Sequence, residues 1–262
     1  MTKNLIEQIM LEKSTGNGAF DTAGFIETLQ NGYLAERGPK FTQKKAFSPS
    51  KIAYGEGKCP RYWYLAFEGG IFEDHSTPFG VANMTNGTKG HERVLGMALK
   101  GSGMAIDIEF NVKYDSPSIY GFCDGLLNWK DEDYVLELKT SSSEAFEYRK
   151  KHMKAKAGHI EQLLIYMKIL NKGKGIILYE NKNNHELLPI VIQVNDHYKK
   201  WVDESFDWMV EVKKASEEKN IPMKPYRSNA KVCKECPLLS ECLKAEAGVL
   251  KIKPLEELSE AM

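Results

Sequence analysis

No stretch of apolar residues in this 262-residue chain is long enough to span a bilayer, and its first residues lack the basic, apolar and small-residue pattern of a secretory leader. A soluble protein without a membrane partner is expected. Charge of one sign is also missing. Lys and Arg number 36 and Asp and Glu number 36, so no global field advertises a nucleic acid, and any basic surface has to be local. There is no repeat, no low-complexity tract, no phosphate-cradling glycine loop and no helicase motif, which leaves no sign of a solenoid or of an NTP-driven motor. Cysteine is scarce, at five residues. Without a leader pattern, the expected compartment is a reducing cytoplasm, bacterial, archaeal or of a virus-infected host, where disulfides are disfavoured.

The cysteines that are present are not scattered. Cys233, Cys236 and Cys242 form a C-x2-C-x5-C cluster in a short polar segment, a spacing that suits metal or cluster ligation better than core packing. Cys59, within Lys58-Cys59-Pro60-Arg61-Tyr62-Trp63-Tyr64, is the candidate fourth ligand. Cys123 is left over and is expected to pack as a small buried hydrophobe.

Residues 133–139 alternate, with Tyr134, Leu136 and Leu138 on one face of a strand and Val135, Glu137 and Lys139 on the other. Residues 119–127 read as the preceding strand, with a turn at 130–133, so a hairpin would bring Asp124 beside Glu137. Two carboxylates so placed would hold Mg²⁺ or Mn²⁺, hard ions that prefer oxygen ligands, and Lys139 would supply positive charge to a phosphate or to an attacking water. Residues 158–170 carry apolar side chains at helical spacing and set Gln162 and Tyr166 one turn apart on the same face. A second amphipathic helix is expected over 88–99, with His91 in its first turn.

The order His91, Asp124, Glu137-x-Lys139, Gln162-x3-Tyr166 resembles the RecB-like branch of the PD-(D/E)xK nucleases over about residues 47–245, with Cys123 rather than Pro before Asp124. The resemblance implies an α/β fold with a restriction-endonuclease-like core, a mixed central sheet flanked by helices. It implies that His91, Asp124 and Glu137 bind metal with the backbone carbonyl of Leu138 as a further ligand, that Lys139 is catalytic, and that Gln162 and Tyr166 organise the site. One cysteine ahead of the core and three behind it are similar to the iron-sulfur nucleases of the AddB type and the CRISPR-associated RecB-like exonucleases. That likeness implies a [4Fe-4S] cluster on Cys59, Cys233, Cys236 and Cys242 in a C-terminal iron-sulfur region, although the spacing alone also admits zinc.

The expected function is a metal-dependent exonuclease acting on DNA, preferably single-stranded or with free ends, in recombination, repair or replication. A helicase, recombinase or integrase is the kind of partner that would open or present the duplex. Two other readings are a processing factor that trims ends in CRISPR spacer acquisition and a non-catalytic DNA-binding or redox-sensing module. Between Lys139 and Lys182 there are ten Lys or Arg and four Glu, and Arg149, Lys150, Lys151, Lys154 and Lys156 are the candidate phosphate contacts.

The remaining segments give an N-terminal helical extension over 1–46, with helices near Leu5–Leu11 and Thr22–Leu34 around a glycine-containing loop. The nuclease domain, including the iron-sulfur region, would occupy 47–262. Ser48-Pro49 starts a helix, 175–179 and 187–194 form a strand pair, and a long helix covers 196–218. Tyr62, Trp63 and Tyr64 would either cover the cluster or stack on bases.

Overall fold

The structure is a computed structural model that describes residues 20–35, 40–41 and 43–258. They fall into two compact units, one drawn from Met1–Arg37 and Ser76–Thr85, the other from Gly38–His75 and Asn86–Met262. In the first, α1 (Thr22–Gly32) is capped by Asp21, whose side chain accepts the Gly24 N–H at 3.0 Å. The expected helix at Leu5–Leu11 and the glycine-containing loop after it lie outside the described residues.

In chain order the remaining elements are β1 (Lys40–Phe41), α2 (Pro49–Ile52), α3 (Pro60–Phe67), β2 (Ile71–Phe72), α4 (Pro78–His91), β3 (Ala105–Tyr114), β4 (Ile119–Trp129), β5 (Glu132–Ser141), α5 (Ser143–His152), α6 (Ala157–Ile169), β6 (Lys174–Asn181), β7 (Leu187–Gln193), α7 (Asp196–Glu217), α8 (Lys231–Lys234) and α9 (Leu239–Lys244). Among the described residues no helix is long and apolar enough to cross a membrane.

β3 to β7 form one mixed sheet in sequential order. Only β5 and β6 run parallel, because the α5–α6 crossover intervenes; the other neighbours are antiparallel. The β4–β5 turn is tighter than expected. Lys130 and Asp131 both take positive φ, 53° and 65°, and Trp129 pairs with Glu132, so two residues make the turn and the strand begins at Glu132 rather than after Asp133. β3 was not anticipated, although Ile106, Ile108, Phe110 and Val112 alternate with Asp107, Glu109, Asn111 and Lys113 along it.

The alternation expected along β5 is present as two cores. Leu136 and Leu138 pack with Val94, Leu95, Leu99 and Leu127 on one face of the sheet. Val135 joins Ile177, Leu163, Leu164, Trp63 and Met209 on the other, beneath α6, α3 and α7. The helix expected over 88–99 starts earlier, at Pro78, and His91 therefore ends its α-helical run rather than opening it. Glu92–Leu99 then continues as π-helix, which widens the turn directly after the histidine. Tyr62, Trp63 and Tyr64 are all buried, so none of the three is available to stack on bases.

A buried charge pair ties α3, α6 and the C-terminal segment together. Lys58 contacts Glu161 at 2.5 Å, and the same carboxylate accepts the Leu258 N–H at 2.7 Å, while Leu255 N–H reaches the Lys58 carbonyl at 2.9 Å. The indoles of Trp201 and Trp208 donate to the carbonyls of Glu256 and Lys253 at 3.0 and 2.8 Å. These bonds fix α6, and with it the residue after Glu161, Gln162.

Candidate active site

The alternation of β4 slips at Asp124. Ile119 and Cys123 face the α6 core, as does the missing side chain of Gly121, where a Cβ would stand 2.7 Å from the Tyr166 hydroxyl. Two residues after Cys123 the pattern has reversed, for Gly125 and Leu127 face the other core and Leu126 faces α6. Across β3, Glu109 takes a φ of 48°, an uncommon backbone for a residue with a side chain. The carboxylate of Asp124 uses the irregularity: its Oδ2 accepts the Leu138 N–H at 2.7 Å, a main-chain donor of the neighbouring strand. Burial raises the carboxyl pKa of Asp124, opposed by the charges of His91 and Lys139.

Glu137 is fully buried, 0% exposed, between Asp124 and Lys139. The Lys139 ammonium lies 2.5 Å from its Oε1 and is the one donor facing the carboxylate, while Oε2 has none. Desolvation, with Asp124 adding to it, pushes the pKa of Glu137 from 4.5 up to about 8 against the pull of Lys139. Desolvation draws the Lys139 ammonium down, yet Glu137 and Asp124 outweigh it and the net shift is upward.

α6 places the rest. Lys139 Nζ donates to Gln162 Oε1 at 3.2 Å, and the Tyr166 hydroxyl donates to the Phe122 carbonyl at 2.7 Å, holding β4 two residues before Asp124. His91 Nδ1 stands 3.8 Å from Asp124 Oδ1 and also 3.8 Å from Glu109 Oε1. Its helix can approach the sheet because Gly90 has no side chain: a Cβ there would stand 2.7 Å from Thr140 Cγ2. His91, Asp124, Glu137, Lys139 and Gln162 are thus brought together, with Tyr166 acting on the backbone beside them. Glu109 joins them unannounced; its only sequence signal is its place on the polar face of an alternating strand. As the side chains stand, no three His, Cys, Asp or Glu among the described residues form a closed metal cage. The orphaned Oε2 of Glu137 and the all-oxygen and imidazole donor set nonetheless fit a hard divalent cation.

The basic residues do not form a single free row. Arg149 donates to the Ala145 carbonyl at 2.6 Å and lies over the Tyr179 ring at 4.7 Å, and Lys150 pairs with Glu186 at 2.6 Å. Lys156 stands over the exposed ring of Tyr54, 5.8 Å away. Lys151 ends α5 in solvent, and Lys154 lies in the link to α6.

Cys242 lies within electrostatic reach of Cys59, Cys233 and Cys236, although as the side chains stand no three of these thiols form a group that could hold a metal. Burial pushes the thiol of Cys59 up to about 12 and that of Cys236 up to about 11, and each is raised further by the charge of Cys242. The buried guanidinium of Arg61 donates through Nε to Cys242 Sγ at 3.2 Å and through its other nitrogens to the carbonyls of Pro222, Ala247, Cys242 and Glu246. Cys123 is buried apart from them, 0% exposed in the α6 core.

No protein-family model matches this chain, and no curated protein matches it. Among solved structures it is similar to an alkaline exonuclease, LHK-Exo from Laribacter hongkongensis, at a TM-score of 0.53 and 12% identity over 67% of this chain and 92% of that one. It is similar to LHK-Exo in complex with dAMP at a TM-score of 0.52 and 14% identity, over 67% and 91%. SSO0001 matches at a TM-score of 0.43 and 16% identity over 88% and 98%. The two LHK-Exo likenesses show a shared fold: an α/β core whose mixed five-stranded sheet is flanked by helices, the fold of a nuclease.

The raised pKa of Glu137 has a sign that can be measured. The folded protein holds this proton more tightly than the unfolded chain, so metal-free protein should lose stability as pH rises from about 4.5 to about 8. In denaturant titrations across that range, Glu137→Gln should flatten the decline and be the more stable protein at the alkaline end. Parallel curves for parent and variant would show that the carboxylate is adequately solvated after all.

Proposed function

We propose that the chain is a metal-dependent deoxyribonuclease that works as an exonuclease on DNA with single-stranded or free ends. The observation that carries this reading is the fully buried carboxylate of Glu137, with Oε2 lacking any donor, set between Asp124 and the Lys139 ammonium on a nuclease fold. His91, Asp124, Glu137 and the Leu138 carbonyl would hold Mg²⁺ or Mn²⁺. When bound, the ion supplies Lewis acidity to a phosphoryl oxygen and acidifies a water. Lys139 then neutralises charge that builds on the phosphate, and Gln162 fixes the ammonium's direction through its 3.2 Å contact. Tyr166 holds the Phe122 carbonyl and so keeps β4 in the register that aims Asp124. Arg149, Lys150, Lys151, Lys154 and Lys156 follow the phosphate backbone, without reading bases. Recombination, repair or replication is the setting, with a helicase or recombinase to open duplexes.

The second element of the proposal is a [4Fe-4S] cluster on Cys59, Cys233, Cys236 and Cys242. It is supported by the nearness of Cys242 to Cys59, Cys233 and Cys236, whose thiols its charge helps to raise, and by Arg61, which places a buried positive charge against Cys242. Such a cluster would join α3 to the C-terminal segment, the same two parts that Arg61 already bridges.

End-labelled single-stranded and duplex DNA, digested with Mn²⁺ or Mg²⁺, tests the first element. Glu137→Gln and Lys139→Ala should each slow cleavage about 10²-fold or more. Parent-like rates in either, or undiminished cleavage in excess chelator, would refute it. Anaerobic purification tests the second: the protein should be brown, Cys236→Ala should bleach and destabilise it, and Cys123→Ala should leave the colour. Stoichiometric zinc without iron would refute the cluster.

A further inference from the structure

One polar group beside the site belongs to none of the motifs above. His159 lies in the first turn of α6, one turn before Gln162, and meets Tyr179 of β6, the residue that pairs with Lys139 in the parallel register. Tyr179 is 1% exposed. Its hydroxyl oxygen lies 3.1 Å from the Lys156 N–H and 2.8 Å from His159 Nδ1. The amide can only donate, so the phenolic oxygen accepts there, and the ring nitrogen is the partner within reach of the phenol proton. A neutral imidazole that accepts at Nδ1 carries its proton on Nε2. Burial, reinforced by the charges of Lys139, Lys156 and Arg149, pushes the pKa of His159 down to about 3, so the ring stays neutral.

The ring is half-buried, and Nδ1 is the nitrogen occupied by Tyr179. The nitrogen left for a further partner is Nε2, which in this tautomer carries the proton, in the neighbourhood of the cationic side chains of Lys139, Lys156 and Arg149. Arg149, stacked on the Tyr179 ring, and Lys156, beside Tyr54, frame it. A neutral donor among cations, with its tautomer fixed from behind, is suited to an anion: it adds a directed hydrogen bond without a further charge to desolvate.

We infer that His159 contacts substrate: its Nε2–H, fixed by Tyr179, donates to a non-bridging oxygen of the DNA phosphate that sits beside Lys139. This rests on the nuclease reading and assigns a residue of that site.

The test uses the full chain and a 3′-labelled single-stranded oligonucleotide with Mn²⁺. Glutamine carries an amide N–H near the place of Nε2, asparagine near that of Nδ1. His159→Ala and His159→Asn should lower kcat/KM about 10- to 100-fold, the loss of one hydrogen bond to a charged group, whereas His159→Gln should recover most of it. Thermal melting identifies any variant that fails to fold, and nitrogen-detected NMR of the parent should show a neutral ring protonated on Nε2 at pH 5. Parent-like kinetics in a folded His159→Ala, equal losses in the Gln and Asn variants, or a proton on Nδ1 would overturn the inference while leaving the nuclease reading intact. A parent that cuts no DNA would overturn both.

Discussion

A carboxylate sealed from water, with a single lysine beside it, is the constraint around which this molecule is arranged. Glu137 is fully buried and its Oε2 lacks any hydrogen-bond donor, a state that costs free energy unless the group is protonated or a cation is near. Lys139 gives part of the compensation at 2.5 Å. Asp124 cannot give any, since it brings the same charge, and its Oδ2 is already taken by the Leu138 N–H. The remaining demand is met by a proton or, on the proposed reading, by a divalent ion.

The scaffold holds these groups against their mutual repulsion. Asp124 and Glu137 sit on adjacent strands of a two-residue hairpin, so neither can withdraw without breaking the sheet. The helix carrying His91 comes close through Gly90, and α6, bringing Gln162 and Tyr166, is pinned by the Lys58–Glu161 pair and the Leu258 N–H. Glu161 repeats the theme of Glu137 in a structural setting: a buried carboxylate, but with a lysine and a main-chain donor both on the same oxygen. The contrast between the two acids separates a residue that stitches the fold from one that, on the proposed reading, takes a metal.

Periodicity made part of this legible. The 134–138 alternation, the hairpin, the strand pair 175–179 with 187–194, and the long helix from Asp196 all follow from local pattern and appear within a few residues of their expected bounds. β3 carries an equally regular alternation in sequence, but no chemistry-bearing residue pair marks it out. Asn86, Gly87 and Gly90 weaken the apolar pattern of the helix before His91, although Gly90 is there for close packing on Thr140. Glu109 could not be found from its neighbours in sequence, since its meeting with His91 depends on the sheet order. The burial of Glu137 was also invisible, because an acid at an alternate position reads as a solvated face until α6 is known to cover it. The likeness to a solved exonuclease fold supports the architecture, while the electrostatics come from this chain's own side chains.

The central claim is that Glu137 gives up a proton to receive a metal. Calorimetric titration of metal-free protein with Mn²⁺ at pH 6.5, in buffers of differing ionisation enthalpy, reads proton release directly. About one proton should leave Glu137 per ion bound, the release should fade as pH passes about 8, and Glu137→Gln should abolish both release and tight binding. Tight Mn²⁺ binding by Glu137→Gln, or binding by the parent with no proton released, would contradict the account.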